Sequence, residues 1–145
     1  MKNMLHKQQG FTLIEVMVVV VILGILAALV VPRFLDRPEE ARRTKAAVDI
    51  KSIEEALALF KLDNGFYPST DQGLQALVKK PEVGRIPASY ADEAYLKKVP
   101  VDPWNQNYIY LSPGAHDAYD IISYGSDGEP GGEGNDADIE SWNLN

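Results

Sequence analysis

Gly10-Phe11-Thr12-Leu13-Ile14-Glu15 opens an apolar run that continues without a further charge to Pro32, and its reading decides how the rest of the chain is organised. A short basic leader carrying Lys2, His6 and Lys7 ends at Gly10. About twenty apolar residues follow, and at 1.5 Å per residue a helix of that length crosses the hydrocarbon core of a bilayer. One carboxylate, Glu15, sits near the start of the run. A charge at mid-bilayer costs roughly 2.5–3.5 kcal/mol on insertion scales, so an intramembrane Glu marks a candidate functional site.

A secretory signal peptide has a shorter apolar core, with its small residues beyond that core. Here the core is longer and the small residue, Gly10, precedes it, so cleavage after Gly10 would leave the helix attached. A plain single-pass anchor accommodates the length but has no need of Glu15. The basic leader, Gly10, Phe11 and Glu15 together resemble the N-terminus of the type IV pilin-like family. That resemblance implies cleavage between Gly10 and Phe11 by a membrane prepilin peptidase, which also methylates the new Phe11 amine. It further implies that the leader faces the cytoplasm and the remainder faces outward. Charge alone leaves the orientation open, because Arg33, Arg37, Arg42, Arg43 and Lys45 follow the apolar run closely.

Glu15 has two readings. It can snorkel near the membrane surface without further role. Alternatively it pairs with the Phe11 amine of a neighbouring subunit, so that two costly charges offset each other only at the correct axial stagger. The family resemblance implies this second, assembly role, with Thr12 a lesser polar contributor.

The chain has 14 Lys and Arg against 21 Asp and Glu, a net charge of −7. Removal of residues 1–10 leaves 12 basic against 21 acidic residues, net −9, a balance that argues against nucleic acid as a partner. No Lys or Arg follows Lys98, whereas eight acidic residues follow Ser112. There is no cysteine, so stability must come from packing or from a bound ion. Two histidines cannot supply a zinc triad, and no cysteine nucleophile or phosphate-cradling glycine motif is present; the chain reads as a non-enzyme.

Ala46, Ile50, Ile53, Leu57 and Phe60 recur at helical spacing and predict a stripe facing a core. The helix should end at Asn64-Gly65, with Pro32 and Pro38 as local kinks or loosened turns within one long helix and not as domain boundaries. Ser69-Thr70-Asp71-Gln72 matches a capping box and predicts a short helix to Lys80 with Leu74, Leu77 and Val78 inward. Residues 82–99 read as loop. Tyr108–Leu111 and Ala118–Ser123 flank Ser112-Pro113-Gly114 as a β-hairpin. Trp104 and Trp142 are expected to anchor core or loops.

A longer resemblance spans the chain. Lys61-Leu62-Asp63-Asn64-Gly65-Phe66-Tyr67-Pro68, Gln72-Gly73-Leu74-Gln75-Ala76-Leu77, Asp102-Pro103-Trp104, Tyr119-Asp120-Ile121 and Gly125-Ser126-Asp127-Gly128 are similar to the major pseudopilins of type II secretion systems. Ala137-Asp138-Ile139 and Trp142 extend the series. It implies an α+β fold: a long N-terminal helix, transmembrane in its first half, on a small domain with a short helix, a small antiparallel sheet and a C-terminal Ca²⁺-binding loop. The implied divisions are a leader at 1–10, an assembly helix at 11–32 and a periplasmic domain at 33–145. The implied function is a homopolymeric periplasmic fibre that drives protein secretion, anchored in the inner membrane. Minor pseudopilins and inner-membrane assembly platform proteins are the implied partners. On composition alone the acidic tail reads as a solvated loop. The resemblance instead implies Ca²⁺ held by Asp127 and Asp138, with Asp136 close by and backbone carbonyls from Tyr124 and Glu129. A type IV pilin and a membrane-tethered calcium module are the competing readings.

Overall fold

The computed structural model describes residues 10–144, with residues 29–37 described by their backbone alone. One helix, α1, spans Leu13–Asn64, and three short strands follow: β1 (Ile109–Leu111), β2 (Asp120–Ser123) and β3 (Ile139–Glu140). The chain separates into two compact units that part between Pro38 and Glu39, so Pro38 lies within a continuous helix, as expected, but also at the division between units, which was not expected. The expected boundary at 32/33 falls among residues whose side chains are not described, and residues 1–9 of the leader lie outside the described residues.

In the first unit every large apolar side chain from Phe11 to Leu26 is exposed, Phe11 at 81% and Leu13 at 80%. Apolar on all sides, such a helix is stable only against lipid or other helices. Among the described residues no helix is long and apolar enough to cross a membrane. The described apolar side chains stop at Ala28, and residues 29–32 of the expected span lie outside them.

The second unit carries its own core. The predicted stripe is real: Ala46, Ile50, Ile53, Leu57 and Phe60 are all fully buried, joined by Leu74, Leu77, Tyr108, Tyr110, Ile121 and Ile139. Phe60 packs edge-on to Phe66 (centroids 5.7 Å apart) and against Tyr95 (5.3 Å), geometry that adds about 0.5–1.5 kcal/mol per pair beyond area burial. Gly65 closes α1 at φ 80°, its amide donating to the Lys61 carbonyl at 2.7 Å, a left-handed cap that a residue with a Cβ resists.

The expected capping box forms, yet it starts no α-helix. The Ser69 amide donates to Gln72 Oε1 (3.1 Å), and the Gln72 amide donates to Ser69 Oγ (3.3 Å). Gly73 then turns to φ 60°, and only one 3-10 turn, Leu74–Leu77, follows. Gln72 is instead a staple, its Nε2 donating to the carbonyls of Val83 (2.6 Å) and Arg85 (3.0 Å). Ala76, not Val78, is the third buried residue of this turn. Residues 82–99 contain no helix or strand, as expected.

β1 and β2 pair antiparallel with Tyr110 opposite Ile121, which makes the predicted hairpin, and Ser112-Pro113 is cis. β3 adds to β2 with Ser123 opposite Ile139, giving the sheet order β1-β2-β3. That third strand is two residues long, too short to show alternation in sequence.

Candidate functional site

At the N-terminal end, Gly10, Phe11 and Thr12 precede α1 and Glu15 lies in its first turn. Thr12 is the helix N-cap: its Oγ1 accepts the Glu15 amide at 3.3 Å, and its carbonyl accepts the amides of Glu15 (3.1 Å) and Val16 (3.3 Å). Thr12-Leu13-Ile14-Glu15 is thus itself a capping-box pattern, a signal present in the sequence that gives Thr12 a local structural task. The helix dipole favours an anion in this turn by about 0.3–1 kcal/mol. That is a fraction of the penalty for a carboxylate in lipid. Gly10, Phe11, Thr12 and Glu15 are all exposed, the requirement for a site that meets a peptidase or another subunit.

The second site is the loop between β2 and β3. Because Ser123 pairs with Ile139, Tyr124 and Asp138 are the first residues beyond the ladder, and the whole acidic segment hangs from a β-hairpin stem. Asp127 Oδ1 accepts the Glu129 amide (3.1 Å), a turn closed by its own side chain. Asp136 Oδ1 accepts the Ser126 hydroxyl. Asp138 Oδ2 accepts the Gly131 amide (2.9 Å), while its Oδ1 is buried with no hydrogen-bond partner. A buried carboxylate oxygen without a donor is costly and calls for a cation or a water.

The glycines here are required by space as well as by φ. A Cβ on Gly132, at φ 86°, would stand 2.5 Å from the Asp136 carbonyl oxygen. The loop is therefore folded tightly upon its own backbone. Among the described residues no three acidic or imidazole groups lie close enough to hold a metal by themselves. Asp127, Asp136 and Asp138 thus share a loop without forming a three-carboxylate cage. A Ca²⁺ site here needs the mixed set of few carboxylates with carbonyls and waters that this ion accepts.

Two residues that support the loop escaped the sequence reading. Asp102, 2% exposed, accepts the amides of Trp104 (3.0 Å) and Gln106 (2.8 Å) on Oδ1 and the Ser123 hydroxyl (2.7 Å) on Oδ2. Ser123 Oγ in turn accepts the Gly125 amide (3.3 Å), and Gln106 Nε2 donates to the Gly125 carbonyl (3.2 Å). The Asp102-Pro103-Trp104 turn thereby pins the start of the loop. Arg43, on α1, holds its far end by donating to the carbonyls of Ala137 and Asn135. No local sequence signal reports a contact across more than ninety residues.

Nearby, burial would push the Asp120 carboxyl up. Bonds from the His116 ring and the amides of Ala115, His116 and Asp117 outweigh that and hold it below its ordinary value. His116 also stacks on Trp142, centroids 3.8 Å apart, so Trp142 anchors the chain end as expected. The Trp104 indole donates to Glu39 (3.1 Å) and packs against the core, the anchoring role expected of it.

Comparison with known proteins covers both sites. Residues 33–142 match the family described as type II secretion system protein G, and residues 5–31 match the prokaryotic N-terminal methylation motif. A Pseudomonas aeruginosa type II secretion system core protein G is 58% identical over 137 residues, 94% of this chain and 96% of the relative. A Vibrio cholerae core protein G is 54% identical over 144 residues, 99% of this chain and 97% of the relative. The crystal structure of the major pseudopilin of enterohaemorrhagic Escherichia coli superposes with a TM-score of 0.69 at 41% identity, covering 79% of this chain and 98% of that one.

Proposed function

This chain belongs to the type II secretion system protein G family, and on that premise we propose how its two sites serve a major pseudopilin. The subunit polymerises into the pseudopilus, the periplasmic fibre that drives folded proteins across the outer membrane. Its role is structural, not enzymatic. The observation that carries this reading is the all-round exposed apolar face from Phe11 to Leu26, with a single carboxylate in its first turn. The second unit, by itself, is a domain that buries its own core.

Prepilin peptidase cuts after Gly10 and methylates Phe11, and the mature helix rests in the inner membrane as a single span with residues 33–145 in the periplasm. Glu15 then meets the Phe11 amine of a neighbouring subunit. Thr12 keeps its cap, so the helix start stays rigid and the carboxylate is presented at a fixed height. Minor pseudopilins and the inner-membrane assembly platform are the partners this arrangement calls for.

In the loop, Asp127 and Asp138 would hold Ca²⁺, with Asp136 adjacent and the carbonyls of Tyr124 and Glu129 completing an oxygen set. The unpartnered Asp138 Oδ1 supports this assignment. The ion supplies positive charge to a segment with no Lys or Arg of its own. Asp127 and Asp138 supply geometry through turns already closed onto the amides of Glu129 and Gly131.

The assembly role is tested by Glu15→Leu and Glu15→Gln in a secreting strain. Both variants should be processed to a methylated Phe11, read by intact mass, and fold normally. Cross-linked multimers and exoprotein release should fall at least tenfold. Wild-type multimer yield from both would refute the pairing.

A further inference from the structure

We propose that Arg43 is the positioning residue of the ion loop, an inference that rests on the calcium reading above. Its Nη1 donates to the Ala137 carbonyl and, at 3.5 Å, to the Asn135 carbonyl. The Ala137 carbonyl belongs to the peptide unit that leads into Asp138. Holding that oxygen restrains the peptide plane that carries the Asp138 Cα. The pairing of Ile139 with Ser123 restrains the other side, so the two together limit the direction in which the Asp138 side chain leaves the backbone. Asp138 is the residue whose Oδ1 is buried and unpartnered.

Arg43 is half-buried, and its neighbours on α1 behave differently. Arg42 pairs with Glu39 and Lys45 with Asp49, both within the helix surface. Among the described residues no carboxylate forms a salt bridge with Arg43. A guanidinium has a rigid fork of donors and no acceptor, which suits it to clamping backbone oxygens.

Two effects of opposite sign follow. As a fixed positive charge Arg43 repels an incoming cation and would weaken binding. As a clamp it pre-orders a loop bearing glycines at φ 65°, 72°, 95°, 86° and 61° (Gly125, Gly128, Gly131, Gly132, Gly134), whose backbone freedom would otherwise be lost on binding. The clamp acts through direct hydrogen bonds, whereas the charge of the half-buried guanidinium is screened by water and salt. Ordering therefore dominates, as it does for the outer partners that aim metal ligands, whose loss costs 10–100-fold in affinity.

The test uses the full chain in detergent, with Ca²⁺ titrated calorimetrically and amide exchange followed along residues 125–138. Arg43→Ala should weaken Ca²⁺ binding at least tenfold and speed exchange in the loop without ion, while amides of residues 46–60 keep their protection. Arg43→Lys, which retains the charge but not the planar fork, should bind Ca²⁺ more weakly than wild type and more tightly than Arg43→Ala. Equal or tighter Ca²⁺ binding by Arg43→Ala, with wild type binding normally, would mean that charge dominates and would overturn the positioning role alone. Absence of Ca²⁺ heat from wild type would instead bring down the calcium reading, and this inference with it.

Discussion

Replacing Asp102 by Ala should cost the domain about 3 kcal/mol. The carboxylate is 2% exposed and accepts three hydrogen bonds of 2.7–3.0 Å. Bonds to a charged group contribute about 1.5–3 kcal/mol each, which sets an upper range of roughly 4.5–9 kcal/mol for three independent bonds. They are not independent. Trp104 and Gln106, which supply two of the donors, are half-buried, so water recovers part of the loss at their amides. The Ser123 hydroxyl is fully enclosed and is left without an acceptor, the costly case. Asp102→Asn keeps a carbonyl oxygen for the two amides and should lose only about 1 kcal/mol. Ser123→Ala should lose about 1–2 kcal/mol, and a double-mutant cycle should return a coupling of about 1–2 kcal/mol. Urea unfolding of residues 39–145, which contain the entire described core, measures these values. Expected are a lower midpoint with unchanged slope and a Tm drop of roughly 12–24 °C for Asp102→Ala. A loss under about 1 kcal/mol, or no coupling to Ser123, would refute the account of Asp102 as the hub that ties the turn to the loop.

Ca²⁺ at a hundredfold excess over its dissociation constant should raise the domain's stability by about 2.7 kcal/mol. Chelator should remove that gain and Asp138→Ala should abolish the difference, whereas chelator-insensitive melting would leave only a solvated loop. Asp120, with its folded pKa depressed, stabilises the fold fully above the unfolded carboxylate value of about 3.9. That contribution is lost as pH falls through the lower folded value. Asp120→Asn should therefore flatten the decline of Tm below about pH 4, and an unchanged acid limb would refute the hydrogen-bonding assignment.

The periodic elements were legible because their spacing is local. Ala46 to Phe60 announced their buried face, Gly65 its end, and the runs around Ser112-Pro113-Gly114 their pairing. What misled was a local signal overruled a residue later. Ser69 and Gln72 form their box, but Gly73 leaves the helical region and spends the motif on stapling residues 83–85. What stayed hidden was long-range. β3 is too brief to alternate, and Arg43 and Asp102 matter through partners that only the fold brings near. Hydropathy singled out Glu15 and the charge distribution the acidic loop, and resemblance supplied the roles implied for them. It carried no information on how the loop is tied down at both ends.

The side chains that hold the domain together and the bare apolar ones of the first unit are disjoint sets, one lying between Ala46 and Ile139 and the other between Phe11 and Leu26. Folding and association therefore draw on separate free energies. In an obligate oligomer the two are linked, and stability rises with protomer concentration. Here a subunit can fold fully while dilute and join a fibre later without repacking. Growth of a polymer from such subunits therefore amounts to adding finished parts.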